Sequence, residues 1–249
     1  MLTWLVTTDP SSFHNSICIL REENTGLWLH KSPEYSKWKE GQTPLFWFYG
    51  IPGSGKTVLF SHIVEDVRDL CNTQVEENYF FVYYYCYFGR NQDESTHLLR
   101  WAINQLARHT GYMPGTIRDF FNSGEQPPLV VLIEALAELC RRFDRVYILV
   151  DALDESLQRA NLLRVLQSLI SDRTSVVRIL AMSREEPDIK FTMACLAHAG
   201  SMSLSNTYVD KDIATYIRSE LEIQAKPRAY PTELKLEIEK ALVKGAQGM

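Results

Sequence analysis

Residues 50–57 read Gly50-Ile51-Pro52-Gly53-Ser54-Gly55-Lys56-Thr57, directly after an apolar run at 45–49 and directly before apolar residues at helical spacing, Leu59, Ile63 and Val67. No other stretch restricts the fold so narrowly. Gly50, Gly53 and Gly55 lack a Cβ, so a loop built on them can turn successive backbone N–H groups towards one point. The helix that follows aims the positive end of its dipole at the same point.

From Leu45 onward short apolar runs alternate with amphipathic stretches, the pattern of an α/β domain whose parallel β-sheet is flanked by helices. Strands are expected at 45–49, 79–88, 146–150, 176–181 and 201–204, and helices at 56–70, 96–109, 129–142 and 157–170. The helices show i, i+3, i+4 apolar spacing, as with Leu98, Ile103 and Leu106. The turn-rich segment 111–128 reads as a surface loop near the site. Residues 1–44, with Trp4, Trp28, Trp38 and a helix-like stretch at 33–40, read as a lead-in to a core at 45–207. Residues 208–249 read as the start of a small helical subdomain, with helices at 209–221 and 232–244 around a breaker at 226–231.

Composition narrows the class of function. A chain of 249 residues with 45% hydrophobic content has material for a sizeable core. Its 26 basic against 31 acidic side chains leave a formal net charge of −5, which offers nucleic acid or an anionic membrane no general attraction. Neither is expected as a partner. Cys18, Cys71, Cys86, Cys140 and Cys195 show no CxxC spacing, and an odd number suits reduced, mostly buried thiols in the cytoplasm. The six histidines show no metal-ligand spacing and receive no role.

The glycine loop fits GxxxxGK[ST] in the context that the motif requires, a strand before it and a helix after it. Its chemistry is the binding of a nucleoside triphosphate with Mg²⁺. Lys56 is placed to bridge the β- and γ-phosphates and the Thr57 hydroxyl to ligate the metal. A second element, Val146–Asp151, is an apolar strand ending in a carboxylate, and Asp151 is the further Mg²⁺ candidate. Asp154 or Glu155 follows within reach of an attacking water, and the sequence does not choose between them. An acidic residue here also suits a helix N-terminus, with Asp154 as cap of a helix from Leu157. A third strand ends in Ser183-Arg184, and Arg184 is a candidate sensor of the γ-phosphate, or else a surface arginine paired with Glu185 or Glu186. The uncharged run 79–88 (YFFVYYYCYF) reads as a core strand rather than a base-stacking platform.

Taken in order, GIPGSGKT, YILVDALDE and ILAMSREEPDI resemble the NACHT nucleotide-binding domains of the STAND switch ATPases. The nearer resemblance is to the nephrocystin-like modules of fungal NLR-type proteins. The lead-in TGLWLHKSPEYSKWKEGQTPLFWFYG and the later DKDIATYIRSEL and LKLEIEKALVKGAQGM share it. The resemblance implies a switch that holds a diphosphate when off and ATP or GTP when on, and that self-associates or engages signalling partners in the on state. It assigns Lys56 and Thr57 to phosphate and metal, Asp151 to Mg²⁺, Asp154 and Glu155 to the acidic pair, and Arg184 to the sensor. Family members often read TSRP where this chain has Met182-Ser183-Arg184-Glu185. They also continue into a winged-helix segment, so the helical subdomain at 208–249 is expected to be truncated. Two other readings use the same loop: a turnover phosphotransferase such as a small-molecule kinase, with 111–128 as its lid, and an interaction module with a vestigial site. The absence of an NKxD motif leaves ATP as the default base, with GTP open.

Overall fold

The computed structural model describes residues 2–6, 8–74, 76–171, 176–196, 198–204, 207–224 and 230–246. Five strands, β1 (Leu45–Tyr49), β2 (Tyr79–Tyr85), β3 (Arg145–Asp151), β4 (Val177–Ser183) and β5 (Gly200–Ser203), form one parallel sheet in the order β2-β3-β4-β1-β5. The helices are α1 (Leu2–Leu5), α2 (Ser11–Ile19), α3 (Pro33–Lys39), α4 (Lys56–Thr73), α5 (Glu94–Thr110), α6 (Gly115–Ser123), α7 (Leu129–Cys140), α8 (Arg159–Ile170), α9 (Pro187–Cys195), α10 (Thr207–Ile223) and α11 (Thr232–Ala246).

The strands β1, β3 and β4 are mostly apolar because both faces of the sheet are covered there. On β3, Val146, Ile148 and Val150 enter a cluster with Leu98, Leu106, Leu136 and Leu166 of α5, α7 and α8. Tyr147 and Leu149 enter the opposite cluster with Trp38 of α3 and Phe60, Ile63 and Val67 of α4. Each fully buried aliphatic or Phe side chain contributes roughly 1.5–3 kcal/mol, so β3 is the seam that joins two cores.

The crossover from β1 passes along one face through α4, whereas α5, α7 and α8 cover the other. The topology therefore changes direction at β1, and in such sheets the crevice beyond the strands' carboxyl ends is where ligands bind. Register brings those ends level: Tyr49 pairs with Ser183, and Tyr85 with Asp151.

The expected strands and helices are present with shifted ends. β2 stops at Tyr85, and Phe88–Arg90 forms a 3-10 turn with Tyr87 and Phe88 exposed. The run 79–88 is therefore core only in part; it lies at the sheet edge, with Val82, Tyr84 and Tyr85 buried. The segment 111–128 is not all loop, and its end returns to α5, where Arg100 donates to Gln126 Oε1. It contains α6, which buries Ile117, and it departs from the far end of the sheet, where His109 packs on Phe80 at the opening of β2. The breaker expected at 226–231 lies largely outside the described residues. The five cysteines are free, but only Cys86 and Cys140 are buried, and Cys195 is exposed.

Candidate functional site

Gly53 and Gly55 adopt φ values of 79° and 75°, the left-handed region that favours glycine, so the turn needs them. At Gly50 the constraint is space: a Cβ there would lie 2.8 Å from Ser54 Oγ and 3.2 Å from Leu204 Cβ. The loop then opens α4 with Gly55 as its N-cap, which offers no side chain to the first amides. Contrast α3, where the Ser32 side chain accepts from Tyr35 N, and α5, where Asp93 accepts from Ser95 N. The first turn of α4 also carries no acidic residue. Its amides and dipole thus face the loop without a protein anion, the arrangement that receives phosphate.

Lys56 turns back over the loop. Its Nζ donates to Gly50 O at 2.9 Å and Ile51 O at 2.6 Å, with Ser54 Oγ at 3.4 Å. Burial lowers its ammonium pKa, and the nearby Asp154 and Asp151 oppose that shift. Ser54 is buried, whereas Ile51, Pro52, Gly53 and Gly55 are exposed along the rim.

Asp151 ends β3 beneath this loop and is 1% exposed. Burial pushes its carboxyl up to about 7, although the Thr57 side chain and Ala152 N hydrogen-bond to it and Lys56 attracts it. Ala152 N donates to Asp151 Oδ1 at 2.9 Å while Ala152 itself sits at φ 55°, a left-handed conformation uncommon for a residue with a Cβ. A buried carboxylate and a hydroxyl hydrogen-bonded to each other, beside a lysine, fit a Mg²⁺ site: the cation would hold Asp151 ionised and take Thr57 as an oxygen ligand.

The acidic pair lies in a 3-10 turn, Leu153–Glu155, and α8 starts only at Arg159 after Gln158. Asp154 is therefore no helix cap. Its Oδ1 accepts from Arg184 N at 2.9 Å, and its Oδ2 lies 3.2 Å from Arg184 Nε. Glu185 instead meets Lys190 at 2.6 Å, so the alternative pairing of Arg184 with Glu185 or Glu186 is replaced by one with Asp154. Glu155 Oε2 accepts from Phe88 N at 3.1 Å. Ser183, fully buried, accepts from Trp47 Nε1 at 2.8 Å and donates to Arg184 O at 2.7 Å, which pins the end of β4 to β1. These contacts bring the loop, Asp151, Asp154, Glu155 and Arg184 to one end of the sheet.

Two features were not read from the sequence. Glu94 is buried at the start of α5, 2.5 Å from Tyr84 Oη and 3.2 Å from Arg90 Nη1, where it steadies the turn that holds Glu155. Its short N-capping context, Asp93-Glu94-Ser95, is the only local signal. A cavity of about 580 Å³ also opens beside the loop, with Gly53, Ser54 and Gly55 on one side and Val209, Ile213 and Tyr216 of α10 on the other. Asp212 of α10 closes one wall: its Oδ2 accepts from Gly26 N and Trp28 Nε1, both at 2.9 Å.

The model of the family described as nephrocystin 3, N-terminal, matches residues 24–184, well over half of the chain. No curated protein sequence matches. Among solved structures, the Aeropyrum pernix ORC2 protein in its ADP form is similar over 92% of this chain and 59% of its own, with 17% identity and a TM-score of 0.53. The Aeropyrum pernix ORC1 protein in complex with DNA is similar over 80% and 53%, with 12% identity and a TM-score of 0.48. The chain thus spans less than two thirds of the structures it resembles. At 17% identity the likeness to the ORC2 protein establishes the fold alone, a parallel α/β sheet flanked by helices.

Proposed function

Because the chain belongs to the nephrocystin 3, N-terminal family, we propose that it binds ATP or GTP with Mg²⁺ at Gly50–Thr57 and acts as the nucleotide-binding module of a STAND-type, NACHT-like switch with slow hydrolysis. The observation that carries this reading is the convergence of Lys56, the Thr57–Asp151 pair and the Arg184–Asp154 pair at the end of β1, β3 and β4. Lys56 exchanges its loop carbonyls for phosphate oxygens, a charge-assisted contact stronger than the neutral ones it leaves. Thr57 and Asp151 hold the metal. Asp154 orients Arg184 towards the γ-phosphate, which leaves Glu155 as the carboxylate for the attacking water.

The cavity between the loop and α10 accepts the base, its apolar walls serving either purine. Residues 45–207 act as the core, 1–44 as the lead-in, and 208–249 as a helical subdomain that reports the nucleotide state. In the triphosphate state the module self-associates or engages a signalling protein in the cytoplasm. A net charge of −5 argues against nucleic acid as its partner. No described helix is long and apolar enough to cross a membrane.

Calorimetric titration of ATP, GTP and their diphosphates with Mg²⁺, on this chain and on Lys56→Ala, tests the reading. The expected result is binding by the unaltered chain and at least about a hundredfold loss in the variant, the scale of removing a charged phosphate contact. Equal binding by both proteins, or none by the unaltered chain, overturns it. Light scattering with and without triphosphate then tests self-association.

A further inference from the structure

Away from the nucleotide site, three side chains of metal-ligating type meet between α2 and α4. His14 and Cys18 stand one helical turn apart on the same face of α2, the spacing that lets an imidazole and a thiol share a ligand. Glu65 of α4 faces them. His14 Nε2 lies 2.7 Å from Glu65 Oε1 and 3.4 Å from Cys18 Sγ, and the three ligand atoms all fall within 4.8 Å of one another. We propose that His14, Cys18 and Glu65 bind a Zn²⁺ ion that ties the lead-in helix to the phosphate-loop helix.

The two separations from His14 Nε2 suit that ion. Tetrahedral Zn²⁺, with bonds of about 2.0–2.3 Å, holds its ligand atoms about 3.3–3.6 Å apart. The sulfur–nitrogen separation already has this value, and the nitrogen–oxygen separation need open by less than about 1 Å once the shared hydrogen bond gives way to the metal. The imidazole is also oriented for the task. Nε2 holds the proton shared with Glu65 and Nδ1 lies 2.7 Å from Tyr85 Oη, so when the metal replaces the Nε2 proton, Nδ1 carries the imidazole proton and donates it to Tyr85 Oη. Such an outer partner fixes the tautomer and ring direction of a ligating histidine.

Charge selects the kind of cation. On binding, Cys18 releases its proton to solvent, so thiolate and carboxylate supply two negative charges and the imidazole stays neutral. Arg68 Nη1 lies 2.6 and 2.7 Å from the two Glu65 oxygens, and Arg21, whose Nε donates to Cys18 O at 3.3 Å, adds a second positive charge. These arginines work against a hard ion held by oxygen electrostatics alone. A thiophilic ion, bonded to Sγ, is favoured over Mg²⁺ or Ca²⁺. His14 is buried while Cys18 and Glu65 are partly exposed, so a fourth position is left towards solvent.

The test uses the full chain, with Co²⁺ as the spectroscopic probe and Zn²⁺ as competitor. The expected result is a thiolate-to-cobalt charge-transfer band that one equivalent of Zn²⁺ abolishes. Cys18→Ser removes the band, Glu65→Gln weakens binding at least about tenfold, and Tyr85→Phe does so by about the factor an outer partner carries, ten or more. Cys195→Ser and Lys56→Ala leave the band intact, which separates this site from the exposed thiol and from the nucleotide loop. Circular dichroism checks that each variant is folded. Absence of the band, or a band that survives in Cys18→Ser, overturns the proposal.

Discussion

Burial holds the Asp151 carboxyl at about 7, against an ordinary value of 3.8. In the unfolded chain that carboxyl ionises near pH 4, so between about pH 4 and 7 the folded state keeps a proton that the unfolded state has lost. Stability therefore falls as pH rises through this window, by about 4 kcal/mol in total, and the cost is constant above it. Asp151→Asn removes the cost. We expect the nucleotide-free variant to be more stable than the parent by thermal denaturation, by a wider margin at pH 8 than at pH 5. An equal margin at both values would contradict the assignment. The same variant should bind nucleotide with little dependence on Mg²⁺, because the buried carboxylate is what the cation neutralises.

At the scale of elements, α10 is attached to the rest of the molecule by a small set of contacts near the cavity. Asp212 receives Gly26 N and Trp28 Nε1, and Trp28 stacks on Tyr208 with ring centroids 5.5 Å apart. The helix α11 in turn meets α10 through the ion pairs Arg218–Glu239 and Lys235–Glu222, which solvent screens and which hold the two helices only weakly. Asp212→Ala leaves two donors without their acceptor, at a cost of about 1–3 kcal/mol. Hydrogen exchange should then accelerate in α10 and α11 while α4 and β3 keep their protection. Unchanged exchange in α10 would show that its apolar contacts alone hold it.

Across the whole molecule, the two apolar clusters share the same strands. Ile148 enters one and Leu149 the other, both fully buried on neighbouring positions of β3. Replacing either by Ala removes about 2–5 kcal/mol. Since β3 carries both faces, each variant should shift a single urea transition, seen alike by tryptophan fluorescence and circular dichroism. Separate midpoints for the two probes in either variant would mean that the faces unfold independently.

The features readable along the chain follow from short-range physics. The glycines of 50–57, the apolar strand before them and the periodic helix after them are local, and so are the short, mostly apolar runs that became β1, β3 and β4. The position of the loop, Asp151 and Arg184 at strand ends was legible because each closes or directly follows such a strand. Strand order, the pairing of Arg184 with Asp154 rather than with its neighbours, and the Asp212 contact to Gly26 and Trp28 depend on residues tens to nearly two hundred positions apart. So does the meeting of His14 and Cys18 with Glu65, which spacing along the chain gave no reason to join. These were settled by the folded chain alone, because packing on the two faces of the sheet sets which distant side chains share a dielectric and come within bonding distance.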